Sequence, residues 1–201
     1  MRGDVESAET FAGEVLALPE KRRSPLDLAW GRVFAGWALG KRGQRQEGIA
    51  MMRLGLEYLV KEGYMMFNSV QTALLAELYL DDGQHTKALE TLESARNHMK
   101  RTDERLWEAE IARLDGLALL AGGTDMGERA EACFNQALEM ARGQGAKWLE
   151  LRTAVSLARL AHARGNPDYA RNLLAPVYDS FTEGFDTPDM RDAKALLEQL
   201  T

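Results

Sequence analysis

The chain has 201 residues, of which 45% are hydrophobic, so it can bury a core, and its composition with only five prolines predicts an all-α protein. The net charge of −6 argues against a nucleic-acid groove, because phosphate binding needs a concentrated positive field. A single cysteine excludes an intramolecular disulfide, and the sequence has neither a basic leader nor an apolar run that could cross a membrane. We therefore expect a cytoplasmic protein that binds neither nucleic acid nor membrane.

The first predicted helix covers residues 4–18, with Ala8, Phe11 and Ala12 on its apolar side. The segment Ser24-Pro25-Leu26-Asp27 then combines an N-cap serine, a proline at the first helical position and an acid at the third, which predicts a helix start at residue 25. The first helix has no partner before it. We expect its apolar face to form a homodimer through residues 4–18 or to be covered by a preceding domain.

From residue 25 the sequence repeats with a period of about 40 residues, and three columns of residues keep the same phase. Two columns are small and the third is large and apolar, which predicts helical hairpins whose two helices approach closely. The predicted hairpins cover residues 25–62, 64–100, 103–143 and 146–182. The columns are Gly36, Ala76, Gly116 and Ala158; Gly48, Ala88, Ala130 and Ala170; and Met52, Leu92, Phe134 and Leu174.

The end of the array departs from the regular repeat. Pro176 falls inside the last second helix, where it predicts a kink or a break. The segment Thr187-Pro188-Asp189 then predicts a final helix over residues 187–200 with one apolar face. A helix of this kind would cap the array by covering the apolar side of the last hairpin.

The hairpin pattern resembles the tetratricopeptide repeat (TPR). The segment 75–79 followed by Gly83, Ala88, Leu92 and Ala95 shows the family's small residue, glycine turn and spaced apolar residues. The period exceeds the roughly 34 residues of the standard repeat, so each helix should be a few residues longer. The resemblance implies a right-handed α-α superhelix, a TPR-like solenoid of about four hairpins with an N-terminal orphan helix and a C-terminal capping helix.

Segments 130–165 and 170–200 are similar to the C-terminal TPR region of bacterial class III adenylate/guanylate cyclase-type regulators that carry an NTPase domain, and segment 28–56 resembles the same array one repeat earlier. The resemblance implies a regulatory helical module of a larger signalling protein. The catalytic parts of that family have no counterpart here, since the sequence contains neither a G-x-x-x-x-G-K-[ST] loop nor a cyclase segment.

The candidate acids and histidines are scattered and form no catalytic or zinc-binding motif. They are His85, His98, His162, Glu108 and Glu110. We expect the histidines at the surface and the acids on solvated helix faces. The sequence therefore predicts no catalytic residue, no metal, no cofactor and no enzyme activity.

The first helices of stacked hairpins line a concave surface, where exposed positions recur about once per turn. Tryptophans as apolar anchors and Arg113, Arg152 and Arg159 as carboxylate clamps would suit a peptide or a partner helix. The alternative is that Trp30 and Trp37 pack into the first helix and that the arginines pair with Glu77 and Glu110. The predicted groove residues are Trp30, Trp37, Glu77, Glu110, Arg113, Arg152 and Arg159.

These observations predict a non-enzymatic protein–protein interaction and regulatory module that binds a partner segment in its concave groove. The alternative is a domain that senses a small-molecule effector, whose expected signature is a mostly apolar pocket with a few convergent polar groups. A hydrolase would need a cleft that gathers the scattered acids and histidines.

Overall fold

The computed structural model describes residues 5–19, 21–22, 24–64 and 68–200. These residues form α-helices, one short 3-10 helix over Thr124–Met126 and connecting turns, and the predicted all-α class is confirmed. The helices are α1 (Val5–Leu16), α2 (Pro25–Lys41), α3 (Arg45–Lys61), α4 (Asn68–Asp81), α5 (His85–Thr102), α6 (Glu108–Gly122), α7 (Gly127–Gly143), α8 (Lys147–Ala163), α9 (Pro167–Asp179) and α10 (Pro188–Gln199).

The helices belong to two compact units, an N-terminal unit over Asp4–Arg105 and a C-terminal unit over Leu106–Thr201. In the N-terminal unit α2 pairs with α3 and α4 with α5, while α1 packs against α2. In the C-terminal unit α6 pairs with α7 and α8 with α9, and α10 packs against both α8 and α9. The organisation of residues 1–201 as one domain stays a prediction.

Glycine contacts between backbones hold α2 and α3 together. A Cβ atom on Gly48 would lie 2.4 Å from the Gly36 carbonyl oxygen and 2.6 Å from the Gly40 nitrogen, and one on Gly36 would lie 2.7 Å from the Met52 nitrogen. These atoms belong to backbone, which cannot move aside as a side chain can. The two small-residue columns therefore mark the close approach of paired helices.

The column of large apolar residues fills the space beside the two columns of small residues. Met52, Leu92, Phe134 and Leu174 are all fully buried. In the C-terminal unit the ring of Phe134 lies against Gly116, where an added Cβ atom would come within 2.4 Å of the ring. The apolar face of α10 joins the core beside α8 and α9 through Met190, Ala193 and Leu196.

Local hydrogen bonds explain where the helices begin and turn. Ser24 and Asp27 form the capping box at the start of α2, because the side chain of each accepts a hydrogen bond from the backbone N–H of the other. The turn glycines Gly43, Gly83 and Gly165 all have a left-handed backbone, with φ of 99°, 74° and 76°.

Three helix boundaries differ from the sequence prediction by three residues or more. Helix α6 begins at Glu108 and not near residue 103, because Asp103 takes a left-handed conformation with φ of 52° and ends α5. Pro176 does not split α9, which runs through it and ends at Asp179, three residues short of the predicted end. The predicted second hairpin begins at residue 64, but residues 65–67 lie outside the described residues, and the described part of its first helix begins at Asn68.

The described histidines do not all lie at the surface. His98 is buried in α5, which contradicts the expectation of a surface position, whereas His162 is exposed. Among the described residues no three His, Cys, Asp or Glu side chains come close enough together to hold a metal ion. None of the described helices is both long and apolar enough to cross a bilayer.

Candidate functional site

In the N-terminal unit Trp37 is a core residue that is tied to the neighbouring first helix. Its side chain lies on α2 and is only 3% exposed, and its indole Nε1 donates to Glu77 Oε2 on α4 at 3.2 Å. The Nζ atom of Lys41, one turn further along α2, lies 3.4 Å from Glu77 Oε1 and 2.8 Å from Asp81 Oδ2. Two of the predicted groove residues, Trp37 and Glu77, are thus bound to each other.

The Lys41 ammonium is held in its charged form by these two acids. Burial alone would lower the pKa of Lys41, but the Coulomb attraction of Glu77 and the hydrogen bond to Asp81 outweigh it, and the pKa is raised. Sequence reasoning missed Lys41 and Asp81, although they lie one repeat apart in the same helix register. The 40-residue spacing could have indicated that these two residues meet.

Trp30 belongs to an aromatic cluster between α1 and α2. Its ring stacks on Phe34 with 6.1 Å between ring centroids, and Phe34 meets Phe11 of α1 edge-on at 5.0 Å. Trp30 is half-buried, and Phe11 stays 44% exposed. Trp30 therefore reaches the first helix through Phe34, while part of its own surface remains open.

In the C-terminal unit the buried carboxylate of Glu110 binds two arginines. Arg113 Nε and Nη2 donate to the two oxygens of Glu110 at 2.9 and 2.7 Å, and Arg152 Nη1 lies 2.8 Å from Glu110 Oε1. The side chains of Glu110 and Arg113 are each only 7% exposed. Arg113 also reaches across to Ser156 of α8 at 3.4 Å.

The two arginines decide the charge of Glu110. Burial on its own would raise the pKa of this carboxyl, but the positive charges of Arg113 and Arg152 outweigh burial and lower it. Glu110 is therefore ionised at neutral pH, and the cluster is a desolvated ion network.

Two acidic residues of α10 contact arginines of α8. Arg152 Nε lies 3.7 Å from Asp189 Oδ1, and Arg159 forms an ion pair with Asp192. The two pairs differ in exposure: the Arg152 side chain is 17% exposed, whereas Arg159 and Asp192 are 56% and 46% exposed. Sequence reasoning assigned α10 only a capping role and missed that its acids meet the arginines.

The seven predicted groove residues differ in exposure. Trp37, Glu110 and Arg113 are buried and bound to partners within the chain, and Arg113 pairs with Glu110 as the sequence alternative described. The burial of Glu110 contradicts the expectation that it lies on a solvated helix face. Trp30, Glu77 and Arg152 are half-buried, and Arg159 is exposed.

Comparison with known proteins bears on the fold alone. No protein-family model matches the chain, and no curated protein does. The TPR-like repeats of a putative kinesin light chain from Podosopora anserina match in structure with a TM-score of 0.63 and 18% identity, over 88% of this chain and 86% of that chain. A variant of the same repeats, with methionine in place of one glutamine, matches with a TM-score of 0.61 and 18% identity, over 84% and 82%. The chain therefore has a TPR-like helical repeat fold.

Proposed function

We propose that the chain is a non-enzymatic protein-interaction module that holds a partner segment on the faces of its first helices. The observation that carries the proposal is the exposed pair of Arg159 on α8 and Asp192 on α10. An exposed ion pair contributes only about 0–1 kcal/mol, so a carboxylate from outside can replace Asp192 at little cost.

The buried cluster of Glu110, Arg113 and Arg152 holds α8 in place, but a partner carboxylate does not replace its acid. Removing Glu110 from Arg113 would leave a desolvated charge, which costs about 3–5 kcal/mol, so no partner displaces it. The cluster instead fixes the position of Arg152, which lies on the same helix as Arg159. We propose Arg159 as the carboxylate clamp and Arg152 as its weaker neighbour.

In the N-terminal unit we propose Trp30 as a separate apolar contact. Its half-buried ring is rigid because it stacks on Phe34, and a preorganised aromatic loses little entropy on binding. Trp37 is not proposed as an anchor, since its indole is already bound to Glu77.

The sequence similarity to cyclase-type regulators supports placing this module in a bacterial signalling protein. A homodimer through residues 4–18 is a further proposal, supported by the exposed side chains of Phe11 on α1 and of Leu18 just after it. Sedimentation at rising concentration tests it. A monomer at every concentration, unchanged by Phe11→Glu, would rule the dimer out.

Selection from a random peptide library against the full chain tests the interaction proposal. We expect enriched peptides to be rich in acidic residues, and Arg159→Glu to weaken their binding about tenfold or more. Asp192→Asn should strengthen binding, because it removes the internal competitor. Arg129→Glu, which reverses an exposed charge on the second helix α7, is the matched control. No enrichment, or equal losses in both arginine variants, would contradict the proposal.

A further inference from the structure

A pocket of about 420 Å³ lies in the C-terminal unit where α7, α8 and the start of α9 meet. Its floor is apolar and its rim is polar. Leu157, Leu160 and Ala161 of α8 form the floor, and Leu157 continues into the core around Phe134. Glu131, Arg164, Asn166 and Tyr169 form the rim.

The rim carries one positive and one negative charge side by side. Arg164 Nη1 donates to Glu131 Oε2, and both side chains are about two-fifths exposed. This leaves Glu131 Oε1 and the other guanidinium nitrogens of Arg164 to meet a ligand. Asn166 is the N-cap residue of α9, but its side chain makes no capping hydrogen bond.

The ion pair alone does not make the pocket distinctive, because it recurs in the repeat. Arg42 and Glu9 in the N-terminal unit occupy the same repeat positions, 33 residues apart as in the later pair, with Arg42 Nη2 donating to Glu9 Oε2 at 2.6 Å. Such a pair joins the second helix of one hairpin to the first helix of the next. It therefore supplies a matched control for any test of the later pair.

The neighbours of the two pairs differ. Where the pocket has the small Ala161, the earlier repeat has Leu39, and where the pocket has the phenol of Tyr169, the earlier repeat has Glu47. The small Ala161 lies beside Leu157 and Leu160, which stand where the earlier repeat has Ala35 and Ala38, and the phenol replaces a charge at the rim. The lining of the pocket is thus a feature of its own residues.

We propose that this pocket binds a free α-amino acid with a large apolar side chain. The ammonium group meets Glu131, the carboxylate meets Arg164, and the side chain lies on Leu157 and Leu160. A zwitterion can pair with both rim charges at once, whereas a ligand with one charge can pair with only one of them. In small-molecule sites a few polar groups orient the ligand over apolar side chains, and Leu157, Leu160 and Ala161 supply that apolar surface here.

Calorimetric titration of the full chain with L-phenylalanine tests the proposal, together with amide chemical-shift mapping. We expect saturable binding and shifts that centre on residues 157–169. Phenethylamine, which lacks the carboxylate, and 3-phenylpropanoate, which lacks the ammonium, should each bind about tenfold or more weakly. Equal affinity for all three compounds would overturn the proposal.

Variants separate the pocket from the general charge of the protein. Arg164→Gln and Glu131→Gln should weaken L-phenylalanine binding about tenfold, whereas Arg42→Gln at the equivalent pair should leave it unchanged. Ala161→Phe fills the pocket while both charges remain, and should abolish binding even if an ion-pair variant unfolds. No saturable binding of L-phenylalanine by about 10 mM, or an equal loss in Arg42→Gln, would overturn the proposal.

Discussion

Glu110 shows how one buried charge can organise several helices. It lies on α6, binds Arg113 one turn along the same helix and reaches Arg152 on α8, which in turn approaches Asp189 on α10. Ion pairs of this kind add little net stability when formed, but they are costly to break because the remaining charges stay desolvated. Their physical role here is to fix which faces of α6, α8 and α10 meet.

Glu110→Gln should therefore destabilise the C-terminal unit by about 3–5 kcal/mol. The substitution keeps the volume of the side chain but leaves Arg113 and Arg152 without their shared counter-charge. Urea unfolding followed by circular dichroism measures the change. Asp192→Asn, which breaks an exposed pair in the same unit, should cost less than about 1 kcal/mol. Equal stability of Glu110→Gln and the wild type would show that the network is not desolvated.

The same carboxyl predicts an acid-sensitive contribution to stability. Its pKa in the folded chain is lowered below the ordinary value of 4.5, so the unfolded state takes up the proton first as the pH falls. The contribution is complete above pH 4.5 and is lost as the pH falls through the lowered pKa. The difference in unfolding free energy between wild type and Glu110→Gln should be constant near neutral pH and shrink in this acid range. A difference that grew on acidification would contradict the assignment.

Side-chain partners were the least predictable feature at this scale. The sequence placed Glu110, Arg113 and Arg152 together on first helices, and the structure brings them into contact. It did not predict that Asp189 and Asp192 meet Arg152 and Arg159. The sequence prediction treated α10 as a cap and did not continue the repeat register into it, although α10 begins 41 residues after α8 (188 − 147), and its acids were therefore not aligned with the arginines.

At the scale of the elements, the pairing of α2 and α3 depends on the absence of side chains. Gly48 faces the backbone of Gly36 and Gly40 at distances that no Cβ atom tolerates. The same column contains alanine in the other hairpins, which indicates that the first pair approaches more closely. Helix propensity disfavours a glycine here, so close packing must outweigh that cost.

Gly48→Ala should destabilise the N-terminal unit by about 1–3 kcal/mol or more, because the added methyl group meets immovable backbone. Thermal and urea unfolding measure the effect. Gly13→Ala is the matched control, since Gly13 lies in α1 of the same unit with no atom within 4 Å of the added Cβ, and it should stabilise by up to about 1 kcal/mol. A gain of stability in both variants would mean that the helices can separate freely.

The sequence predicted helix positions correctly where the repeat columns and the capping residues indicated the same boundary. Ser24 to Asp27 predicted the start of α2 at Pro25, and the turn glycines marked the hairpins. The start of α6 was wrong, because Asp103 serves as a left-handed end of α5 instead of opening the next helix. An acid beside threonine is compatible with either role, and only the packing of the following residues distinguishes them.

At the scale of the whole molecule, the TPR-like fold was predictable from phased small and large residues, and the structural neighbours agree with it. The division into two compact units was not predicted, because the repeat columns continue through residues 100–110 without a change of phase. For the candidate site, the sequence predicted which positions lie on the first helices but not which of them are buried. How exposed each of them is depends on its contacts within the chain: Trp30 stacks on Phe34 and is half-buried, whereas Arg159 is exposed in its pair with Asp192.

A double-mutant cycle between Arg159 and the acidic residue of a selected peptide tests the interaction proposal most directly. Binding is measured for wild-type and Arg159→Ala chains with the peptide and with its amide counterpart. We predict a coupling free energy of at least about 1 kcal/mol, and a larger value when Asp192→Asn removes the competing acid. A coupling free energy of about zero in both backgrounds would contradict the assignment of Arg159 as the carboxylate clamp.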